Sequence, residues 1–322
     1  MNIAVIGSGY WGKNIVRNYS EIDCLYAICE IDEEKRKLLA EQYPGVLIYE
    51  TFDKLLADKK VEGIAIATPA HTHFELARKS LEAGFPTYVE KPITLNLEDA
   101  EALTKLAEEK QLPLMVGHIL EYHPAIVKMK ELISKDTYGK VKHIKCTRVN
   151  LGKIRVHENI WWSFAPHDLS IIFTLIDEDP EKIQATSFDP LQPEIEDTVY
   201  ADLNFASGKS AHIQVSWLEP IKLHQTIVVC EKAFIVFNDT HKEDKLKVYN
   251  YSLDKETPNL IKEDELVISY EEGQPLKLEC THFIDCIKNN KTPKTDGRSA
   301  CRIIKVIEYV DKELKKSSKV KV

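Results

Sequence analysis

The chain of 322 residues is long enough for about two domains, each with a substantial hydrophobic core. Hydrophobic residues make up 43% and charged residues 29%, as in an ordinary soluble globular protein, and no apolar run reaches the roughly 18 residues that a membrane span needs. The net charge of −8 argues against nucleic acid as the main partner.

The seven cysteines fit a reducing compartment. They are widely spaced and form no C-x-x-C pair, so we expect free thiols rather than a disulfide framework or a zinc site. The first predicted strand begins at residue 2, so we expect no signal peptide before it. The sequence therefore predicts a cytoplasmic protein that binds neither a membrane nor a metal.

The first 32 residues predict a dinucleotide-binding unit. A buried strand, Ile3–Ile6, runs into the turn Gly7-Ser8-Gly9-Tyr10-Trp11-Gly12, and a helix follows. The three glycines allow a sharp exit from the strand, the approach of backbone amides to a pyrophosphate, and close packing of helix on strand. Glu30 ends the second strand 18 residues after Gly12, where such folds place the acceptor of the adenosine ribose hydroxyls. We expect NAD rather than NADP, because this acid has no adjacent arginine.

Strands and helices alternate as far as about residue 120, which predicts a parallel sheet covered on both faces. Ligands of such sheets bind at the carboxyl ends of the strands. Lys91 is the strongest candidate there, because Pro92 fixes it at a strand exit. His71, His73 and His118 follow strands at the same edge, but positions as hydrogen-bonded loop or core histidines fit them at least as well as a functional role does. The cofactor contacts predicted at these strand ends are Thr68, Pro69, His71, Glu90 and Lys91.

From about residue 140 apolar and polar residues alternate, which predicts antiparallel strands with one buried face. We expect hairpins over 198–217 and 226–237, and further strands at 246–249 and 266–270. The polar segment 242–264 is expected to be a mobile excursion. Two helices, 278–288 and 299–314, are predicted to close the chain.

The predicted fold class is α/β with two domains. Residues 1–120 are expected to form a Rossmann domain with a doubly wound parallel sheet. Residues 121–322 are expected to form an α+β domain with an open, mostly antiparallel sheet for substrate binding and oligomerisation. The last helix, about 299–314, is expected to pack back on the Rossmann domain.

A second group of candidate residues lies between Asn150 and Asp168. Its first part places Lys153 and Arg155 beside a glycine, and either phosphate binding or a solvated charged loop fits this pattern. Its second part is an aromatic run followed by His167 at a predicted helix start. A structural histidine that is satisfied at a helix start fits His167 equally well.

These motifs resemble the glucose–fructose oxidoreductase and inositol dehydrogenase family across nearly the whole chain. Within that family, residues 150–168 are similar to enzymes that oxidise the C3 hydroxyl of UDP-N-acetylglucosamine or its uronate. The residues that carry the family resemblance are the glycine turn, Ala67 to His73, Glu90-Lys91-Pro92, Gly117-His118 with Pro124, and Phe283 to Ile287.

The resemblance implies NAD-dependent oxidation of a UDP-sugar at C3, with Lys91 and His167 flanking the reacting carbinol. Hydride leaves carbon only as the hydroxyl proton leaves, so a base is needed, and His167 suits that role. Lys91 would stabilise the negative charge that develops on oxygen, although it could also share the proton. The predicted substrate contacts are Tyr122, Arg148, Asn150, Lys153, Arg155, Trp161, His167 and Asp168.

Two positions depart from the family pattern. Ser163 stands where the family often has an aspartate four residues before the histidine, and Glu121 stands where it often has an arginine. The first departure concerns the orientation of His167, and the second concerns the substrate contacts.

Other functions fit the same residues. A dehydrogenase of a free polyol such as inositol and a redox-neutral sugar reaction that recycles its NAD are alternatives within enzymes. A non-catalytic dinucleotide-binding regulator is a third, and the presence of both Lys91 and His167 argues against it. The resemblance also favours a homodimer or homotetramer formed through sheet faces. A sugar aminotransferase acting downstream is compatible with this function.

Overall fold

The computed structural model describes residues 1–317, apart from Lys153, His157, Lys255 and Pro258. Unit 1 comprises Met1–Tyr122 and Gly273–Lys305. Unit 2 comprises His123–Glu272 and the chain from Val306 onward. The final helix, Gly297–Ser317, therefore contributes residues to both units.

A parallel sheet forms the centre of unit 1, with the strand order β3-β2-β1-β4-β5-β6. The strands are β1 (Ile3–Ile6), β2 (Leu25–Cys29), β3 (Leu47–Tyr49), β4 (Gly63–Ile66), β5 (Thr87–Glu90) and β6 (Leu114–Gly117). Every residue of β1, β4, β5 and β6 is buried, as expected where helices cover a parallel sheet. The strand order reverses between β1 and β4, and ligands of doubly wound sheets bind at such a point. The predicted Rossmann sheet is confirmed.

Helices connect these strands and complete the core of unit 1. They are α1 (Gly12–Glu21), α2 (Glu33–Gln42), α3 (Phe52–Leu56), α4 (His73–Glu82) and α5 (Leu97–Lys110). Asn96 caps the start of α5, because its side-chain oxygen accepts a hydrogen bond of 2.8 Å from the backbone nitrogen of Asp99. A helix from late in the chain, α8 (Pro275–Asn289), packs against α1 and adds Cys280 and Phe283 to the same core.

A second sheet forms the centre of unit 2, with the order β14-β13-β12-β11-β7-β10-β9-β8. Its strands are β7 (Val141–Leu151), β8 (Pro180–Phe188), β9 (Thr198–Phe205), β10 (Ser210–Ser216), β11 (Leu218–Cys230), β12 (Ala233–Asn238), β13 (Leu246–Leu253) and β14 (Leu260–Val267). Neighbouring strands are antiparallel except β7 and β10. The predicted mostly antiparallel sheet is confirmed.

One face of this sheet is covered by helix. Unit 2 contains α6 (Pro124–Ser134) and α7 (Ile160–Leu175), and it takes the end of α9 (Gly297–Ser317). α7 packs against β7, β9 and β10. Along β10, Ile213 and Val215 are inaccessible, whereas His212 and Gln214 on the other face are half-buried. The hairpin predicted over 198–217 is therefore correct in both its pairing and its faces.

The end of this sheet differs from the sequence prediction. β14 occupies residues 260–267, so it begins within the segment 242–264 expected to be a mobile excursion, and the strand expected at 266–270 is only its end. Every residue of β14 is exposed, because this strand lies at the edge of the sheet and pairs with β13. An edge strand with no buried face carries no alternation of apolar residues, so the sequence offers no signal for its first part.

The start of α7 also differs. The helix begins at Ile160, seven residues before His167, so the histidine lies in the helix interior and not at its start. Asn159 sets the start, because its side-chain oxygen accepts a hydrogen bond of 3.1 Å from the backbone of Trp162. Pro166 is accommodated inside the helix, directly before His167.

The seven cysteines are all free, as predicted. Among the described residues, no helix combines the length and the apolar character that a membrane span needs.

Candidate active site

The glycine turn is closed by backbone packing at its two ends and open in the middle. Gly7 has a φ of +86°, and a Cβ on Gly12 would lie 2.2 Å from the carbonyl oxygen of Gly7. A Cβ on Gly9 would instead have no heavy atom within 4 Å. The open position is the one at which backbone amides approach a pyrophosphate in dinucleotide-binding folds.

The Glu30 carboxylate is bonded to this turn. Its Oε2 accepts hydrogen bonds from the backbone nitrogen of Ser8 at 3.0 Å and from the Ser8 hydroxyl at 2.5 Å. Its Oε1 accepts a hydrogen bond of 3.2 Å from the backbone of Asp32. Burial opposes ionisation, but these hydrogen bonds outweigh it and lower the pKa of Glu30. The structure therefore brings Ser8 and an ionised Glu30 together, which suits binding of ribose hydroxyls.

Arg36 is a cation near this site that the sequence analysis did not weigh. Its Nη1 donates hydrogen bonds to the carbonyl oxygens of Glu30 at 3.0 Å and Ile31 at 2.7 Å. An arginine beside the ribose-binding acid can accommodate a 2′-phosphate. Arg36 is therefore the residue of this segment that could contact a 2′-phosphate if NADP were bound.

His73 ties together the loops that follow β4 and β5. Its ring nitrogens lie 2.7 Å from the carbonyl oxygen of Pro92 and 2.8 Å from that of Thr68. It is buried, so it is a hydrogen-bonded core histidine. Through it the predicted cofactor segment from Thr68 to His71 and the Lys91-Pro92 segment are held at the same edge of the sheet. Within the first segment, the Pro69 carbonyl accepts a hydrogen bond from Thr72.

Glu90, the last residue of β5, receives hydrogen bonds from three directions. Its Oε1 accepts one of 2.7 Å from the indole of Trp11 and one of 2.7 Å from the hydroxyl of Tyr88. Its Oε2 accepts one of 3.2 Å from the backbone nitrogen of Lys91. Trp11 belongs to the glycine turn, so this carboxyl group brings the turn and Lys91 together. Tyr10, next to Trp11, is largely exposed.

Two further residues follow β6. His118 is buried, and neither ring nitrogen has a hydrogen-bond partner among the described residues. Burial and the neighbouring charge of Lys91 lower the pKa of His118 to about 3, so the imidazole is neutral. Tyr122, a predicted substrate contact, is buried with its hydroxyl 3.2 Å from that of Thr295.

In unit 2, two predicted substrate contacts bind each other. Nε of Arg148 lies 3.2 and 3.1 Å from the two carboxylate oxygens of Asp168, and Nη2 lies 3.0 Å from Oδ1. Both side chains are buried, at 9% and 1% exposure. Burial raises the pKa of Asp168, and the guanidinium opposes this rise. The ion pair joins β7 to α7 and thereby fixes the part of α7 that contains His167 against the sheet.

The other predicted substrate contacts of unit 2 are less closely grouped. Trp161 is fully buried and its indole donates to the carbonyl oxygen of Ile307 at 3.3 Å, so its side chain belongs to the core. Arg155 forms a surface ion pair with Glu158. The Asn150 amide oxygen is buried without a hydrogen-bond partner in the described part of the chain. Lys153 lies outside the described residues.

His224 on β11 is a candidate contact that the sequence analysis missed. The strand register places it opposite Arg148. Its Nε2 is buried and has no hydrogen-bond partner within the described ranges. Burial and the charge of Arg148 lower the pKa of His224 to about 4. No local motif marks this residue, because only the pairing of β11 with β7 brings it to Arg148.

Comparisons with known proteins agree with this architecture. Residues 1–118 match a family described as an oxidoreductase family with an NAD-binding Rossmann fold, and residues 126–236 match the GFO/IDH/MocA C-terminal domain. The chain therefore belongs to the GFO/IDH/MocA family of oxidoreductases. The predicted family is confirmed, and so is NAD as the cofactor of its Rossmann domain.

Individual relatives act on different sugars. A UDP-N-acetylglucosamine 3-dehydrogenase from Acidithiobacillus ferrooxidans is 30% identical over 186 residues, which cover 58% of this chain and 57% of that protein. A myo-inositol 2-dehydrogenase from Thermotoga maritima is 26% identical over 255 residues, 76% of each chain. A solved structure of the Acidithiobacillus enzyme has a TM-score of 0.86, with 22% identity and 98% coverage of both chains, and shares the fold. This chain matches between 51% and 61% of the length of the first curated relatives.

The Arg148–Asp168 pair generates a stability prediction. Arg148→Met leaves Asp168 buried without its partner, and we expect a loss of about 3–5 kcal/mol in the free energy of unfolding. The double variant Arg148→Met/Asp168→Leu removes both charges and should lose much less. Arg155→Met is the control, because its exposed ion pair contributes less than about 1 kcal/mol. Urea unfolding followed by circular dichroism measures all three, and a wild-type value for Arg148→Met would contradict the assignment.

Proposed function

We propose that this protein is an NAD-dependent dehydrogenase that oxidises the C3 hydroxyl of UDP-N-acetylglucosamine, or of the corresponding uronate, to a 3-keto sugar. The observation that supports this most is the Glu90 carboxyl group, which accepts hydrogen bonds from the indole of Trp11 in the glycine turn and from the backbone nitrogen of Lys91. A lysine beside the predicted cofactor turn suits the oxidation of a carbinol, because its charge can stabilise the negative charge that develops on the oxygen. The 30% identity to a UDP-N-acetylglucosamine 3-dehydrogenase supports the choice of sugar.

Each proposed catalytic or cofactor-binding residue has a separate role in the reaction. NAD, when bound, accepts the hydride that leaves C3. His167 removes the proton of the C3 hydroxyl, so that the carbon becomes a carbonyl. The ammonium group of Lys91 stabilises the negative charge that develops on the oxygen during this step. Ser8 and Glu30 bind the adenosine ribose, and the open space at Gly9 suits the pyrophosphate.

A free polyol is the second candidate substrate. The likeness to a myo-inositol dehydrogenase covers more of this chain than the likeness to the UDP-sugar enzyme does. Arg155, a proposed phosphate contact, already forms an ion pair with Glu158. A polyol needs no cation for a pyrophosphate, so these two observations support a polyol as the alternative substrate.

The reaction is tested by following reduced nicotinamide with a panel of UDP-sugars and free polyols. We expect activity with UDP-N-acetylglucosamine or its uronate. Lys91→Ala and His167→Ala should each lower kcat by about 100-fold or more, because each removes a positioned group. Arg155→Ala should raise KM with less effect on kcat, since it removes binding that is equal in ground and transition states.

Binding of NAD to the Lys91 and His167 variants, measured by calorimetry, is the control that separates lost chemistry from lost folding. Near-normal turnover of His167→Ala would remove the proposed base. Activity on inositol and on no UDP-sugar would assign the protein to the second candidate.

The proposed preference for NAD rests on Glu30. Glu30→Ala should weaken NAD binding by about tenfold or more, because a ribose acceptor and its bond to Ser8 are both lost. Glu33→Ala is the matched control, because the Glu33 carboxylate is exposed and pairs with Lys37 on the surface of α2. Calorimetric titration with NAD and NADP measures both variants. NADP binding to the unmodified protein as tightly as NAD would overturn the preference.

We also propose a cytoplasmic homodimer or homotetramer that assembles through the half-buried face of the sheet in unit 2. Phe234 and Tyr251 lie on that face with ring centroids 4.7 Å apart, and Tyr249 pairs with Phe234 across the strands. Light scattering at micromolar concentration should give a multiple of the chain mass, and Phe234→Lys should lower it. A monomeric mass for the unmodified protein would contradict the proposal.

The product also suggests a partner. A 3-keto sugar carries the carbonyl group that an aminotransferase converts to an amine. We therefore propose that a sugar aminotransferase consumes the product.

A further inference from the structure

Two buried carboxyl groups in unit 1 share one tyrosine hydroxyl. Oη of Tyr88 lies 2.7 Å from Oε1 of Glu90 and 3.2 Å from Oε2 of Glu279 on α8. Glu279 is wholly inaccessible, and Tyr88 is fixed by an edge contact with Phe283, at 6.0 Å between ring centroids. A Cβ on Gly117 would lie 2.6 Å from Oη, so backbone closes the space beside the hydroxyl.

The hydrogen bonds around the two acids are unequal. Glu90 accepts from the indole of Trp11 and the backbone of Lys91 in addition to Tyr88. Glu279 contacts Tyr88 alone through Oε2, and its Oε1 has no hydrogen-bond partner among the described residues. The hydroxyl of Tyr88 has a single proton, and the shorter contact is the one to Glu90. The contact to Glu279 is therefore satisfied if Glu279 carries its own proton and donates it to Oη.

We propose that Glu279 is a permanently protonated acid that donates to Tyr88, so that a directed chain runs from Glu279 through Tyr88 to an ionised Glu90. Glu279 and Tyr88 are thereby positioning residues. With Glu279 neutral, the one negative charge at the end of β5 is the Glu90 carboxylate. The lone pairs of this carboxylate that Tyr88 does not use accept hydrogen bonds from Trp11 and from the backbone of Lys91.

The groups around the pair agree with this assignment. Burial raises the pKa of Glu279 well above its ordinary value, and the charges of Glu90 and Glu121 raise it further. Burial raises the pKa of Glu90 as well, but the hydrogen bonds from Tyr88 and Trp11 and the charge of Lys91 oppose this rise, whereas the charges near Glu279 add to its rise. Among the described residues, Tyr19 of α1, Cys280 of α8 and Tyr122 also interact electrostatically with Glu279. Burial raises the pKa of each, so none of the three supplies a charge.

The protonation of Glu279 is tested without any turnover. A protonated acid gives an infrared carbonyl band that an ionised carboxylate lacks. We expect this band in the wild type at neutral pH, its loss in Glu279→Gln, and its persistence in Glu90→Gln. Loss of the band in Glu90→Gln but not in Glu279→Gln would reverse the assignment and overturn the proposal.

The pH dependence of stability is a second readout on Glu279→Gln, which keeps a donor for Tyr88. The native wild type holds a proton that the unfolded chain releases above its ordinary pKa, so wild-type stability falls as pH rises. Gln has no such proton. The melting temperature of the variant minus that of the wild type should therefore increase from about pH 5 to about pH 8. Glu279→Leu, which cannot donate to Tyr88, should melt below Glu279→Gln. A constant or shrinking difference between the Gln variant and wild type would contradict the proposal.

The consequence for Lys91 rests on the proposed function and has its own test. Because Glu279 already behaves as a neutral donor, Glu279→Gln should keep the affinity for NAD and kcat within about threefold of wild type. Glu90→Gln removes the charge and turns an amide NH2 group either toward the backbone nitrogen of Lys91 or toward the donors Trp11 and Tyr88, so it should lower both the NAD affinity and kcat by about tenfold or more. Equal effects at the two positions would overturn the chain. If no sugar is turned over, calorimetric NAD affinity still decides between the two variants, so failure of the proposed function is distinguishable.

Discussion

The carboxyl group of Glu90 is the interaction on which the cofactor side of this protein depends. It is buried at the end of β5, and it holds Trp11 of the glycine turn, Tyr88 of its own strand and the backbone of Lys91. A buried carboxylate is stable only when it is fully hydrogen-bonded, so each donor has to remain in place. The position of the turn and the position of the lysine are therefore set by the same charge.

In unit 2, the buried carboxylate is stabilised by an ion pair. Asp168 is buried beside His167, and Arg148 neutralises it from the neighbouring sheet. In each unit the proposed catalytic residue is adjacent in sequence to a buried acid that is held by several hydrogen bonds. Lys91 follows Glu90, and His167 precedes Asp168. Such an arrangement fixes the backbone of the proposed catalytic residue.

The sequence predicts those features whose signals are local. The strand before Gly7, the turn itself and Glu30 at the end of β2 lie within 30 residues, and each element has the composition of its class. Contacts between residues far apart in the chain have no such local signal. Glu279 reaches Tyr88 beside Glu90 only through helix packing, and His224 lies opposite Arg148 only through strand register. Sequence patterns do not encode such pairings, and the exposed edge strand β14 has no apolar alternation that would predict its start at residue 260.

The most direct test of the proposed chemistry is the fate of the hydrogen at C3. UDP-N-acetylglucosamine labelled with deuterium at C3 is incubated with the protein and NAD, and the reduced cofactor is analysed by mass spectrometry. If the protein oxidises C3, the deuterium passes to the nicotinamide ring as hydride, and the sugar product loses it. Reduction of the cofactor with the deuterium retained in the sugar would contradict oxidation at C3.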